Sequence, residues 1–589
     1  MKTILTAITI AVASGAATAQ QAAHPVPLSG TTAMDEAALQ ATGALYLADV
    51  LRLFPGISVT RAGPPGSPVT LRFRGGDVTV VIDGIPGSDP TLARPAFDPG
   101  AMPVADIWRI ELRPGPQAAR HGTSAPGGVL LITTRRLADP ALVRQNGLAG
   151  GSFGTLQSSH GIAGRGERGG FGLSLVRSRA DGFSAADEAA GNPEADGHRA
   201  TRFAMTMDYA VNDRLTLGGA LHLRLEEAEY DSPPPVPADA ANLSERDEAG
   251  LRLFAELEAG RTTHLFDLTA SGLSRDLAES GPARHFGGDR TGVSWQATTA
   301  RDGGLTLGYG ADLTQERARA AALPPGGGDM VMAGAFASAA WEAAPGTGVS
   351  ASLRHDSASE FGAFTSGRVA ASWQLDEGVA VHATAARGFR PPSITERLAG
   401  SDGALGNPDL APEESLGGEV GVTLAGGGAM ATATLFQQDI SNLVAPDGGA
   451  PATLANLPGT SVRRGVELTG RLPLGPVVTA EVAYTYTDAR SAGGVWLDLV
   501  PRHQAGLALS ARLGERLSTR LAARHLAGRW QSGAALPDFT VVDFGLRYTL
   551  GEATDLTLRV ENLLDADYQE APGYGTAERA FYLGLSRRF

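Results

Sequence analysis

Strict alternation of apolar and polar residues, repeated over most of the chain, narrows the possible folds more than any other feature. In Leu215-Thr-Leu-Gly-Gly-Ala-Leu-His-Leu-Arg-Leu225 leucine holds every odd position except Gly219, and the even positions carry Thr216, Gly218, Ala220, His222 and Arg224. A period of two places these sets on opposite faces of an extended strand. The pattern returns in Leu251-Arg-Leu-Phe-Ala-Glu-Leu-Glu-Ala259, in Phe544-Gly-Leu-Arg-Tyr-Thr-Leu550 and in Leu556-Thr-Leu-Arg-Val560. One such segment suits a soluble sandwich as well as a membrane barrel. Their number, spread from residue 150 to the end, has to be weighed with the export signal.

Residues 1–19 read as that signal. Lys2 gives the positive start, Ile4 to Ala13 the short apolar core, and Ala17-Thr18-Ala19 the small-residue cleavage site before Gln20. Beyond them no apolar run approaches the ~20 residues of a membrane helix. The exported chain is therefore either soluble or a β-barrel of an outer membrane, whose alternating pattern hides from hydropathy.

Composition removes whole classes of chemistry. Cysteine is absent, which excludes disulfides, thiolate metal sites and a cysteine nucleophile. Lys2 is the only lysine, so the processed chain has no P-loop, Schiff-base or kinase lysine. A formal charge of −14 without any basic run argues against a nucleic-acid partner. Gly150-Gly-Ser152-Phe-Gly154 fits the G-x-S-x-G hydrolase pattern, but it begins an alternating strand and lacks the strand-to-helix elbow that chemistry needs. No enzyme activity is expected.

Residues 20–43 lack periodicity and read as a flexible arm. Leu47, Val50, Leu51 and Phe54 then mark one face of a short helix, ended by Pro55-Gly56. Strands are expected over 57–61, 69–74, 78–82, 107–112 and 129–133, with Asp83-Gly84 as a hairpin turn.

The motifs in this order resemble those of the TonB-dependent outer-membrane receptors. Leu51-Arg-Leu-Phe-Pro-Gly-Ile-Ser-Val59, Leu71-Arg-Phe-Arg-Gly-Gly76, Val78-Thr-Val-Val-Ile-Asp-Gly-Ile-Pro86 and the stretch from Asp106 to Arg136 are similar to that family's plug. Gly388-Phe-Arg-Pro-Pro392, Asn407-Pro-Asp-Leu-Ala-Pro-Glu-Glu-Ser415, Arg463-Arg-Gly-Val-Glu-Leu468 and Glu561-Asn-Leu-Leu-Asp565 are similar to stretches of its barrel. Pro114 and His121 depart from the pattern.

The resemblance implies a mainly β fold, a 22-stranded antiparallel transmembrane β-barrel with a small α/β plug in its lumen. It divides the chain into a signal peptide (1–19), an arm with a TonB box (20–43), a plug (44–136) and a barrel (137–589). At ~9–11 residues per crossing the connections are short, and the longer ones are expected at 226–248, 318–329, 389–412, 438–463 and 524–538.

The implied function is import of a scarce ligand, a ferric siderophore or cobalamin, across the outer membrane. The work would come from the inner-membrane TonB-ExbB-ExbD complex. The TonB box is expected at His24, Pro25, Val26, Pro27 and Leu28, against the alternative of a featureless linker. Arg74 and Arg113 fall where the family places plug arginines, and Glu419 and Glu467 where barrel glutamates face them. Such a cluster would latch plug to wall; ordinary solvated lumen charges are the alternative.

No cofactor is required, but acidic loops holding Asp187, Glu194, Asp196 and Asp231 could bind Ca²⁺ or simply be solvated. Phe589 closes the last strand as the mark read by the barrel assembly machinery. Membrane lipid, lipopolysaccharide and a small metal chelate or cobalamin complete the expected partners. The competing readings are a passive outer-membrane pore and a surface-binding barrel such as an adhesin or phage receptor.

Overall fold

The computed structural model describes residues 32–94, 96–115, 127–137, 141–232, 237–279, 282–401 and 403–589. The helical face expected from sequence is there: Leu47, Val50, Leu51 and Phe54 are each at most 1 % exposed. They lie on or just after α2 (Leu47–Leu51), which packs on a sheet. Its strands are β2 (Ile57–Arg61), β3 (Val69–Phe73), β4 (Gly76–Ile82), β5 (Ile85–Pro86), β6 (Ile107–Pro114) and β7 (Gly128–Thr134). Their order is β6-β7-β4-β3-β2, with β5 folded back on β4, and β4 with β7 is the parallel pair. Side chains such as Leu39, Ile110, Leu112, Leu130 and Ile132 complete one apolar core, each at most 2 % exposed. Fully burying a side chain of this size contributes about 1.5–3 kcal/mol, so this small unit coheres through its own centre.

The expected arm is shorter than residues 20–43. Residues 32–43 belong to the plug: β1 (Thr32–Asp35) adds to the sheet against β6, and α1 (Glu36–Thr42) follows. An edge strand is held by backbone ladder bonds, which need no side-chain periodicity. The helix carries signals that a search for apolar spacing passes over. Asp35 caps it by accepting from Ala38 N at 2.9 Å, and Gly43 ends it in the left-handed conformation at φ 65°.

Around the plug, 22 antiparallel strands close into a barrel. The first are β8 (Ala141–Gly151), β9 (Thr155–Gly166), β10 (Gly169–Phe183), β11 (Asp196–Asn212), β12 (Leu215–Tyr230) and β13 (Asn242–Ala259). The final strand, Ala580–Arg588, pairs with β8 and so completes the ring. Closure leaves no open edge, as backbone surrounded by lipid requires.

The alternation sets which side chains point outward and which into the lumen. Leu217, Leu223, Leu225, Leu253 and Leu257 are exposed on the outside, whereas His222 and Arg224 of β12 are buried in the lumen. Phe581, Leu583, Leu585 and Phe589 share the outer face of the last strand. Phe589 also exchanges both backbone hydrogen bonds with Arg144, at 2.8 and 3.1 Å, beside the start of the first strand.

Strands outrun the allotment used for the sequence estimate. β11 and β13 have 17 and 18 residues, and β11 reaches β12 through Asp213 and Arg214 alone. The expected long loops occupy the right places but are narrower. The one placed at 226–248 shrinks to 231–241, because β12 continues to Tyr230 and β13 begins at Asn242. Ladder hydrogen bonds hold a strand in water as well as in lipid, so polar residues such as Glu227 and Glu229 prolong it beyond the crossing. The loop after residue 390 carries a short helix, α3 (Ile394–Leu398), and residues 442–459 carry a small hairpin. Gly150–Gly154, the hydrolase-like stretch, forms the end of β8 and its turn into β9, and Ser152 Oγ accepts from Phe581 N at 2.9 Å.

Candidate functional site

The surface where plug meets wall is built from charge. Arg74 stands in the tight β3–β4 turn with φ 49°. Its Nη1 donates to Glu419 at 2.8 Å and its Nε to Glu467 at 3.3 Å, while its guanidinium lies 4.3 Å from the Phe436 ring centre. The wall is shaped for this. Gly465 sits directly opposite Phe436 on the next strand, and a Cβ there would come within 2.7 Å of the ring. From the plug side, Gly56 (φ 70°) brings its backbone so close to Glu467 that a Cβ would meet the carboxylate at 2.9 Å. Three of the four residues nominated for this contact thus meet. Arg113 does not join them: its Nε donates to Glu111 of its own strand at 2.6 Å. The two lie on the same face of β6 two residues apart, a nearer partner than any on the wall.

The sequence reading missed that aspartates of the plug also reach out. Asp106 holds Arg202 at 2.7 Å, Asp89 holds Arg275 at 3.2 Å and Asp98 holds Arg246 at 3.5 Å. Asp83, assigned only to a hairpin turn, carries the densest set. It accepts from Thr134 N at 3.0 Å and Thr134 Oγ1 at 2.5 Å, and it lies 2.9 Å from His222 Nε2 and 3.1 Å from Arg136. Burial pushes its carboxyl up, but His222, Arg136 and Thr134 more than offset this and hold it well below the usual range.

A third group involves the loop between the last two strands. Glu570, 3 % exposed, accepts from Arg52 at 2.7 Å, Arg524 at 3.2 Å and the Arg61 backbone N–H at 3.0 Å. Burial acts to raise its pKa, yet Arg52, Arg524 and Arg61 prevail and draw it down to about 2. Other loops also descend onto the plug. Thr395 Oγ1 of α3 donates to the Thr91 carbonyl at 2.9 Å, Arg94 bridges Asp77 and Glu413 at 2.8 and 3.0 Å, and Arg72 donates to the Asp498 carbonyl.

Among the described residues, gaps remain beside the plug, and two stand out. One of about 70 Å³ lies between the β4–β5 hairpin and the wall near Arg224 and Arg246; one of about 50 Å³ lies beside Arg74 and Phe436. Both are well below the ~300 Å³ at which ligand pockets begin.

Of the four carboxylates nominated for a cation, Glu194 and Asp231 come together. The third member is Asp239, which was not nominated, and one carboxylate oxygen from each lies within 4.8 Å of the others. Burial, together with Asp231, Asp239 and Glu229, raises the Glu194 pKa. Asp187 instead caps a turn through Ala189 N, while Asp196, which accepts from Ala185 N at 2.7 Å, also lies within side-chain hydrogen-bonding reach of Asp231. His24 to Leu28 lie outside the described residues.

A closed 22-stranded barrel with an ion-paired plug in its lumen is the architecture of gated outer-membrane receptors. Residues 141–563 match the family model for the TonB-dependent receptor-like β-barrel, and residues 27–129 match the TonB-dependent receptor plug domain. The chain belongs to the TonB-dependent receptor family, a family of transporters and receptors.

Among relatives, the vitamin B12 transporter BtuB of Photobacterium profundum is 26 % identical over 96 % of this chain and 92 % of its own length. BtuB of Vibrio cholerae is 24 % identical over 94 % and 91 %. Among solved structures, a mutant of the ferric enterobactin receptor PfeA of Pseudomonas aeruginosa superposes with a TM-score of 0.82 at 18 % identity, covering 98 % of this chain and all of that one. The siderophore receptor PirA of Acinetobacter baumannii gives 0.80 at 15 % identity, covering 95 % and 98 %.

Proposed function

We propose that the protein is an energised importer in the outer membrane, carrying a ferric siderophore or cobalamin into the periplasm. The observation behind this reading is the seated plug: among the described residues, the gaps at its flank are too small for such a ligand, so passage requires the plug to move. The outer membrane stores no nucleotide and sustains no ion gradient. The work is therefore assigned to the TonB-ExbB-ExbD complex, acting on a segment ahead of β1 that includes His24 to Leu28. Strand addition to an extended peptide is a general way to take hold of it. Arg74 with Glu419 and Glu467 serves as one latch of the seated state, and Phe589 as the mark for assembly.

The test is growth of a deletion strain on single ferric chelates and on limiting cobalamin, with uptake of the labelled ligand. Removing residues 20–31, which spares β1, should stop uptake and leave ligand binding unchanged. Continued uptake by that variant would instead establish a passive pore.

Glu194, Asp231 and Asp239 are proposed to hold Ca²⁺, a hard cation that suits carboxylate oxygens and relieves their mutual repulsion. Its contribution would be to fix the loops at residues 184–195 and 231–241. Calcium titration followed by thermal unfolding checks this, with an Asp231→Asn, Asp239→Asn double variant expected to lose the response.

A further inference from the structure

The plug does not grip the wall evenly. Its aspartates hold Arg202 of β11, His222 of β12 and Arg246 of β13. Among the described residues, no hydrogen bond or ion pair joins it to three neighbouring wall strands, Thr347–Ala358, Gly362–Asp376 and Val379–Arg390. The fourth strand of this sector, Glu413–Gly426, is held through Glu413 to Arg94 and through Glu419 to Arg74.

The lumen face of this sector is built from small and polar side chains. Ser352 stands opposite Arg368, and Arg368 opposite Ala386. One rank further down, Ala370 stands opposite Thr384, and Thr384 opposite Glu419. One rank below that, Ser372 stands opposite His382, and His382 opposite Gly421, where a Cβ would overlap the imidazole. Ser366, His382 and Ser415 are 1 %, 5 % and 4 % exposed. Yet Ser366 Oγ, His382 Nε2 and Ser415 Oγ have no hydrogen-bond partner among the described residues. The same holds for Ser372 Oγ, Glu419 Oε1, Arg74 Nη2, and Nε and Nη1 of Arg368. Arg368 donates through Nη2 to Thr384 Oγ1 at 3.3 Å and has no carboxylate partner among the described residues.

Buried polar groups are as a rule hydrogen-bonded, so a run of exceptions along one wall calls for a use. The gap of about 50 Å³ lies within this run, against Thr384, Ala386, Gly417 and Glu419. Ser415 stands near the loop that carries α3, whereas Ser372 and His382 stand near the opposite turn at Glu377-Gly378. At ~3.3 Å per residue, Ser366 to Ser372 alone spans about 20 Å, most of the ~25 Å apolar band of such a barrel. The Arg74 latch crosses the middle of the run.

We propose that the lumen face of these four strands is the path by which the imported ligand descends once the Arg74 latch opens. Ser366, Arg368, Ser372, His382 and Ser415 are its transient hydrogen-bonding stations. The proposal rests on the import reading above. Donors of this kind suit a ligand with an oxygen-rich periphery, which a ferric siderophore and a cobalamin share.

The chain has no cysteine, so single cysteines report cleanly. Ser372→Cys places one deep in the path, and Ala204→Cys places one in the opposite wall, on β11 at 2 % exposure. Cells are given radiolabelled cyanocobalamin or radiolabelled ferric enterobactin, together with a small charged thiol reagent. During uptake, Ser372→Cys should react at least fivefold faster than in de-energised cells, and Ala204→Cys should not change. A bulky adduct at Ser372→Cys should slow uptake at least fivefold and leave surface binding intact. Arg368→Gln should lower the uptake rate about threefold at unchanged binding affinity, with Arg368→Lys close to wild type. Equal reaction of the two cysteines, or uptake unaffected by the adduct, overturns the path. Uptake of neither compound by the wild type defeats the import reading instead. The sector is then decided on purified full-length protein in mild urea. There Ser372→Cys should react before Ala204→Cys, and the reverse order or simultaneous reaction overturns the assignment. Heat-modifiable gel mobility checks that each variant is folded, and the cysteine labelling stands if Arg368→Gln is not.

Discussion

The plug holds itself together in one way and holds on to the barrel in another. Its centre is apolar, with Leu47, Leu51, Phe54, Ile110 and Leu130 buried almost completely. Its perimeter is ionic, with Asp83, Asp89, Asp98 and Asp106 meeting His222, Arg275, Arg246 and Arg202, and Arg52, Arg74 and Arg94 meeting glutamates. The difference matters because the two kinds of contact fail differently. Apolar surface pulled out of contact is exposed to water at full cost. A charged group separated from its partner regains hydration, so a buried ion pair adds little net stability over the separated, solvated pair. A body joined to its surroundings by charge and to itself by apolar packing can be dislodged without first being dissolved.

The largest test of this contrast is Phe54→Ala. A cavity at the plug centre should cost about 3–5 kcal/mol. Amide exchange should then show lost protection across β2 to β7 while the barrel keeps its heat-modifiable mobility. Loss of the barrel together with the plug would show that the two are one cooperative unit. Arg74→Ala probes the perimeter and should be milder, on the order of 2–3 kcal/mol. It leaves Glu419 and Glu467 without their guanidinium, and should raise leak of antibiotics too large for porins while the plug core stays protected. Unchanged leak in a folded variant removes the latch.

Acid provides a graded version of the same test. The Glu570 carboxyl titrates at about 2 in the seated structure, against an ordinary 4.5. The folded value is lowered, so its contribution is fully present above pH 4.5 and is lost as pH falls from 4.5 towards 2. Protease access to the plug should rise over that window, and Glu570→Gln should remove this part of the pH dependence. The smallest effect is expected from Arg261→Ala. Its partner Asp302 lies in a tight turn at the end of the barrel opposite the long loops and both side chains are exposed, so neither seating nor unfolding should change measurably.

Much of the architecture was legible because its causes are local. Period-two leucines announce strands, Pro55-Gly56 and Asp83-Gly84 announce turns, and the helical spacing from Leu47 to Phe54 announces the piece that caps the sheet. The pairing of Arg74 with Glu419 and Glu467 was legible only through the resemblance, since nothing in the spacing joins residues almost 400 positions apart. Asp83 shows the limit from the other side: its local role as a turn residue hid its contact with His222. Residues 32–43 look like a continuation of the arm because they lack apolar periodicity and are rich in small and polar residues, although Asp35 and Gly43 bracket a helix by their capping chemistry. Asp239 was missed for a related reason. It follows a proline-rich stretch and reaches Glu194 and Asp231 only because β11 and β12 bring their loops side by side.

The order of the wall contacts along the chain has a mechanical consequence. From the N-terminus they come at Glu36, Asp49, Arg52, Arg74, Asp83, Asp89, Arg94, Asp98 and Asp106, each on a different wall partner or group of partners. If the chain is drawn out from its leading end, these attachments bear load in series. The peak force is then set by the strongest single attachment, while the work is their sum spread over the whole extension. A motor that exerts little force but travels far is matched to such a fastening, and a displaced segment finds its attachments again one at a time as it slides back.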